Sequence, residues 1–309
     1  MKKRILTKDQ QIKKLKRDNI RFQIEIIVIF LLLLALFFFN YNYTIFKILI
    51  AGCYTDTNAL DSIYSEAIDA ETDGFYYKNF DNVIISLFMD RLYEENNDRF
   101  TMLFNKGELK TEQNEMELDS KKTEFKKLNN TTGCITLTAF SSPSGKIIKD
   151  NIEEIASCDN IIIDLRDNPG GVLKYADSIS EYFLSKDSII AQYNCRSRLL
   201  SSVSVSKNSS PLQFDSIYIL QNQYTAYAAE VFINALRENL NNVTVIGSPS
   251  YGKGIGQTEM KLLYGFGIKA TTLDILTPNG NSINHTGIKP DITPYEDELD
   301  YALNLVETG

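Results

Sequence analysis

The chain has 309 residues, 43% of them hydrophobic and 23% charged. That is apolar material enough for one ordinary globular domain with additions, or two small ones, and it excludes the disordered and collagen-like classes. The net charge of −8 divides unevenly: residues 1–53 carry ten Lys or Arg against three Asp or Glu, the rest 22 against 37. An acidic main part argues against nucleic acid as a partner, because phosphate binding needs a basic footprint.

Nine Lys or Arg lie between Lys2 and Arg21, and Ile26 to Phe39 is an unbroken apolar run of fourteen. Extended back to Phe22 the stretch reaches eighteen, with Gln23 and Glu25 at its basic end and Tyr41 and Tyr43 beyond the far end. Length and flanks predict a transmembrane or signal-anchor segment over residues 22–51. The positive-inside rule then puts residues 1–21 in the cytoplasm and residues 54–309 outside it. Ile50-Ala51-Gly52-Cys53 resembles a bacterial lipobox, so Cys53 is either a lipid anchor or the end of a long membrane helix. The other cysteines, Cys134, Cys158 and Cys195, have no metal-ligand spacing and are expected to be buried or free thiols.

Residues 54–105 read as a helical region, with Phe80, Val83, Ile84, Leu87, Phe88 and Leu92 on one face of a helix over 79–95. Residues 106–130 are a charged connector. From residue 131 strands alternate with helices. Strands are expected at 134–138, 160–165, 216–220, 243–246, 257–263 and 267–273, and helices at 144–157, 172–183 and 226–239. This alternation predicts an α/β sheet covered on its faces, with sites in the loops at the strand ends.

Three loops carry candidate chemistry. Asp164-Leu-Arg-Asp-Asn-Pro-Gly-Gly171 ends a strand, and its two glycines can turn N–H groups toward a ligand. Its plainer reading is a strand-to-helix turn. Asn222-Gln-Tyr-Thr-Ala-Tyr-Ala-Ala-Glu230 puts Thr225 where a strand gives way to a helix, as a helix cap or as a nucleophile facing the cleft. Gly247 to Gln257 contains the Gly-x-x-x-x-Gly-Lys spacing of a phosphate loop. The next residue is Gly254, so the magnesium-binding hydroxyl is missing, and strands follow instead of a helix. A nucleotide is therefore not expected. Lys253 is better read as a lysine held in a crowded site, where desolvation suits it to act as a base. The single histidine, His285, excludes motifs that need two and reads as a surface loop residue.

In this order the loops resemble the carboxyl-terminal processing (tail-specific) serine proteases. Residues 164–171 are similar to that family's Asp-Leu-Arg-x-Asn-Pro-Gly-Gly motif, residues 222–230 to its Asn-x-x-Ser-Ala-Ser-Ala-x-Glu motif, and residues 251–257 to its Gly-Lys-Gly-x-x-Gln motif. Thr277-Pro-Asn-Gly280, Gly287-Ile-Lys-Pro-Asp291 and Asp98-Arg-Phe-Thr101 resemble further segments of the family. The resemblance implies a crotonase/ClpP-like α/β core over residues 131–309, with no cofactor and no metal. It implies Thr225 as nucleophile in place of serine, Lys253 as general base, and Gln257 orienting that base. It also implies an oxyanion hole from the N–H groups of Ala226 and of Gly170 or Gly171. The substrate class is exposed protein tails or peptides; the alternative is an inactive relative that binds peptides in the same cleft. Two departures stand out. Thr225 and Tyr227 replace the two serines, and the connector over 106–130 is too short for the family's usual PDZ domain. The oligomeric state is left open.

Overall fold

A computed structural model describes residues 8–39, 41, 45, 48, 49, 89–91, 93, 94, 98–104, 123–262 and 266–308. The first element is helix α1 (Lys8–Phe39). Among the described residues no helix is long and apolar enough to cross a membrane. The side chains described on α1 end at residue 35, and those of Ile26 to Leu34 are all exposed. Cys53 and most of the expected helix over 79–95 lie outside the described residues; 89–91, 93 and 94 are helical.

The rest is a mixed α/β fold on two sheets. One holds β2 (Glu124–Lys127), β3 (Thr132–Thr136), β4 (Asn160–Asp164), β7 (Ser216–Gln221) and β8 (Val243–Gly247) in that order. β3, β4, β7 and β8 run parallel, and β2 pairs antiparallel with β3. The charged connector thus ends in an edge strand, which its composition did not suggest. Charged side chains suit an exposed edge, where pairing with another chain must be discouraged.

The second sheet is built on the long strand β10 (Gly267–Leu276). β9 (Ile255–Lys261) pairs along one edge of it; β1 (Met102–Phe104) and β5 (Ile189–Asn194) pair with it in turn. β6 (Ser202–Val205) closes the far side against β5. β5 and β6 were not expected from sequence. β5 (Ile-Ile-Ala-Gln-Tyr-Asn) shows no clean alternation and β6 (Ser-Val-Ser-Val) alternates over only four residues; pairing of β5 with β10, and of β6 with β5, selects them.

The expected helix over 144–157 is two: α2 (Ser142–Asp150) and α3 (Ile152–Ala156). Asn151 makes the break. Its backbone N–H and its side-chain amide both turn back to Ile147 O, which closes the first helix. α4 (Leu173–Ser180) and α5 (Ala228–Asn239) follow where predicted, each starting one or two residues late, and α4 ends three residues early. Residues 228–236 of α5 are all buried. A helix buried on every side is mostly apolar; Glu230 and Asn234 are the polar exceptions, and the alanines allow close approach. Phe232 of α5 meets Phe140 and Phe183 at ring distances of 5.6 and 5.8 Å. Such a buried aromatic contributes about 1.5–3 kcal/mol. The alternate strand residues Cys134, Ile162, Leu220 and Ile246 face the other way and are covered by the terminal helix α6 (Glu298–Thr308).

Candidate functional site

The three candidate loops meet at one end of the parallel sheet, as strand-end loops in such sheets do. In the first, Asn168 is completely buried. Its amide donates to Leu137 O at 2.6 Å, and its Oδ1 accepts from Gly170 N at 2.8 Å. Its backbone oxygen accepts from Ala226 N at 2.9 Å. Gly170 lies so close to the second loop that a Cβ would stand 2.8 Å from Ala226 O and 2.9 Å from Ala228 N. At Gly171 (φ +131°) a Cβ would stand 2.3 Å from Phe140 O. Both glycines are required by close approach as well as by conformation.

The oxyanion hole expected from the resemblance draws on these same N–H groups. The N–H groups of Ala226 and Gly170 are used within the two loops by Asn168. Gly171 N–H is the one of the three with no hydrogen bond among the described residues. The bridge to Phe140 uses Gly170 O and Val172 N–H instead.

Thr225 lies in the second loop. It is completely buried. Its hydroxyl donates to Leu165 O at 2.8 Å and accepts from Asn222 N at 2.9 Å. Both are bonds of a local cap, and among the described residues none joins it to Lys253. The sequence allowed a cap or a nucleophile here; the geometry is that of the cap.

The residue that meets Lys253 is Tyr227. It sits at the turn into α5 with φ 56° and ψ −110°, a conformation L-residues rarely adopt. Its N–H is held by Glu230 Oε2 at 2.8 Å. Lys253 Nζ lies 4.9 Å from the Tyr227 ring centroid and 4.5 Å from that of Phe100. It also donates to Gln257 Oε1 at 3.1 Å, so the expected Lys253–Gln257 pair is formed. Gln257 Nε2 donates in turn to Phe100 O. Burial pushes the Tyr227 phenol up to about 12, against a hydrogen bond from the Gln257 backbone that lowers it. The phenol therefore keeps its proton at neutral pH. The hydroxyl of Tyr193 donates to Asp177 at 2.6 Å.

Glu230, the last residue of the second loop's motif, is completely buried, and its carboxylate accepts four bonds. Oε1 takes Ser250 Oγ at 2.5 Å and Gly252 N at 2.7 Å, and Oε2 takes Tyr227 N and Lys253 N at 2.9 Å or less. One carboxylate thus fixes the second loop to the third. The signal in the sequence was a lone acid on the apolar stretch of a helix, where an unpaired charge is not tolerated. His285 is exposed and donates its backbone N–H to Gly252 O, consistent with a loop role. Among the described residues no group of His, Cys, Asp or Glu could hold a metal ion.

The family model "Peptidase family S41" matches residues 131–293. A "Probable CtpA-like serine protease" of Staphylococcus aureus (strain COL) is 33% identical over 176 residues, 56% of this chain and 35% of that protein. The chain therefore spans about a third of the length of the curated relatives it matches. In fold it is similar to a solved lipoprotein from Streptococcus agalactiae, with TM-score 0.65 at 17% identity over 87% of this chain and 96% of that one. The photosystem II D1 C-terminal processing protease gives TM-score 0.50 at 21% identity over 56% of this chain and 48% of that one.

Proposed function

The chain belongs to peptidase family S41, a family of serine-type peptidases, and on that footing we propose that its cleft takes extended peptide or unfolded protein segments, with hydrolysis held back by Tyr227 at the place of attack. The observation that carries this reading is the contact of Lys253 with Tyr227 at a backbone turn of high strain. A nucleophile on such a turn is presented to its base and to the substrate carbonyl. A small hydroxyl there would stand beside Lys253. The tyrosine oxygen stands a whole ring further from the backbone, keeps its proton, and fills space that a scissile bond needs. Exposed Tyr224, Tyr251 and Val172 flank the three loops and offer apolar contact to a bound chain.

A second reading, direct hydrolysis by the native chain, is favoured by the retained Lys253–Gln257 pair. In the first reading Thr225 is no nucleophile, because its hydroxyl is committed to the cap; in the second it is the hydroxyl that leaves the cap to attack the carbonyl, with Lys253 taking its proton.

The exposed apolar side chains of α1 and the basic residues before them support a membrane anchor, with the cleft outside the cytoplasm. Cys53 is the second candidate anchor.

The test uses the full chain with unstructured peptides, read by mass spectrometry for cleavage and by fluorescence anisotropy for binding. Native protein is expected to bind without cutting. Tyr227→Ser is expected to cut, and adding Lys253→Ala to it should lower the rate by at least about a hundredfold, as loss of a general base does. Cleavage by native protein that Lys253→Ala abolishes would replace this reading with direct hydrolysis. Absence of both binding and cleavage in every variant would overturn both readings.

A further inference from the structure

Lys253 is held from two sides, and one of them comes from a segment far away in sequence. Phe100 touches the pair twice. Its ring lies under the ammonium at 4.5 Å, and its carbonyl accepts from Gln257 Nε2. The second contact decides which way Gln257 faces. A carbonyl accepts only from the NH₂ end of an amide, so Oε1 is left to face Lys253, and it accepts from Nζ at 3.1 Å. The first contact favours the charged amine, because an aromatic face attracts a cation.

Phe100 is itself fixed. Asp98 Oδ1 accepts from Phe100 N at 2.9 Å and from Thr101 N at 3.1 Å, and Oδ2 accepts from Thr101 Oγ1 at 2.6 Å. Thr101 Oγ1 accepts from Thr271 N at 3.0 Å, and Thr271 Oγ1 donates to Asp98 at 3.2 Å. Thr271 is the direct partner of Gln257 in the β9–β10 register. The turn over 98–101 is thus bolted to the strand pair that carries Gln257.

We propose that Phe100 is a positioning residue for the Lys253–Gln257 pair, and that residues 98–101 are a working part of the site although they lie outside residues 131–293. This rests on Lys253 being the functional amine of the cleft. The ring both covers the amine and favours its charged form, and acylating reagents attack only an uncovered, neutral amine. Reactivity of Lys253 therefore reports the contact.

The experiment is timed acylation of the native full chain with an amine-reactive ester at neutral pH, with mass spectrometry of the Lys253 peptide. Exposed Lys186 serves as internal reference. Phe100→Leu keeps an apolar side chain and removes the ring. It is expected to speed Lys253 labelling about three- to tenfold relative to Lys186, the range a modest cation–π contact corresponds to. Phe100→Tyr restores a ring and is expected to label at the native rate. An unchanged rate in Phe100→Leu overturns the proposal, and so does equal acceleration in Phe100→Leu and Phe100→Tyr. A variant that merely loosens the fold also speeds labelling of Lys269, whose side chain is largely buried on β10, and that outcome counts against the proposal as well. The readout does not depend on cleavage, so failure of Tyr227→Ser to cut peptides would remove the functional reading and leave this result standing.

Discussion

Two hydroxyl residues two positions apart have opposite fates. Thr225 Oγ1 closes a cap between Leu165 O and Asn222 N, and Tyr227 turns to Lys253. A helix-start motif read from sequence gives no sign of which side chain points inward, because the answer depends on one backbone turn with φ 56°. The assignment of Thr225 therefore has a direct test. Thr225→Val keeps the shape and loses both hydrogen bonds, leaving the Asn222 N–H without its partner. It is expected to destabilise the fold by about 1–3 kcal/mol, measured as a lower denaturation midpoint. In a Tyr227→Ser background it should leave any peptide cleavage at a comparable level once the protein is folded. Complete loss of cleavage from a stable Thr225→Val protein would return the nucleophile's role to Thr225.

At the scale of elements, the site is three loops and a turn held at fixed distances. The Pro-Gly-Gly loop was legible because its glycines announce special backbone, and the structure shows what they admit. Gly171 passes Phe140 where a Cβ would be 2.3 Å from a carbonyl oxygen. Gly171→Ala is expected to cost about 3 kcal/mol or more, since backbone must move on one side or the other. Thermal unfolding would report it; a change under about 0.5 kcal/mol would mean that the loop is not packed in this way. The edge strand β2 and the split of α2 from α3 were not legible. A charged run reads as solvated whether or not it pairs, and a break made by one asparagine leaves the apolar spacing on either side intact.

Across the whole molecule, Arg166 joins the first loop to the C-terminal end. It bonds Asp164 Oδ1 and Oδ2 at 2.9 and 2.7 Å, and Asp297 and Glu298 at 3.0 Å each. At Asp297 burial pushes the carboxyl up, but backbone N–H bonds from Asp300 and Leu299, together with Arg166, outweigh it and lower the carboxyl overall. A carboxyl lowered in the folded state adds stability that is present above its unfolded value, near 3.9, and lost as pH falls through the folded value. Asp297 is half exposed, so the contribution is small. The stability gap between native protein and Arg166→Gln is therefore expected to be largest above about pH 4 and to narrow below it. Denaturant midpoints between pH 2.5 and 6 would show this, and a gap that widens on acidification would contradict it.

By itself, the sequence determined the class of fold, the family, the three loops and the lysine with its glutamine. Each of these is written in local chemistry: apolar runs that alternate between strand and helix, glycines where backbone must turn, and a polar pair four residues apart. It also favoured buried thiols at Cys134 and Cys158, and both are buried and free. Only the tertiary structure decided which residue faces Lys253, which amides are already used, that Glu230 fastens two loops together, and that Phe100 reaches the site from outside the core. Apart from the Gly170 amide, held by Asn168 two positions away, these are contacts across 20 to 157 positions of chain. No local pattern encodes a partner at that distance, because the partner is chosen by how the two sheets and α5 pack.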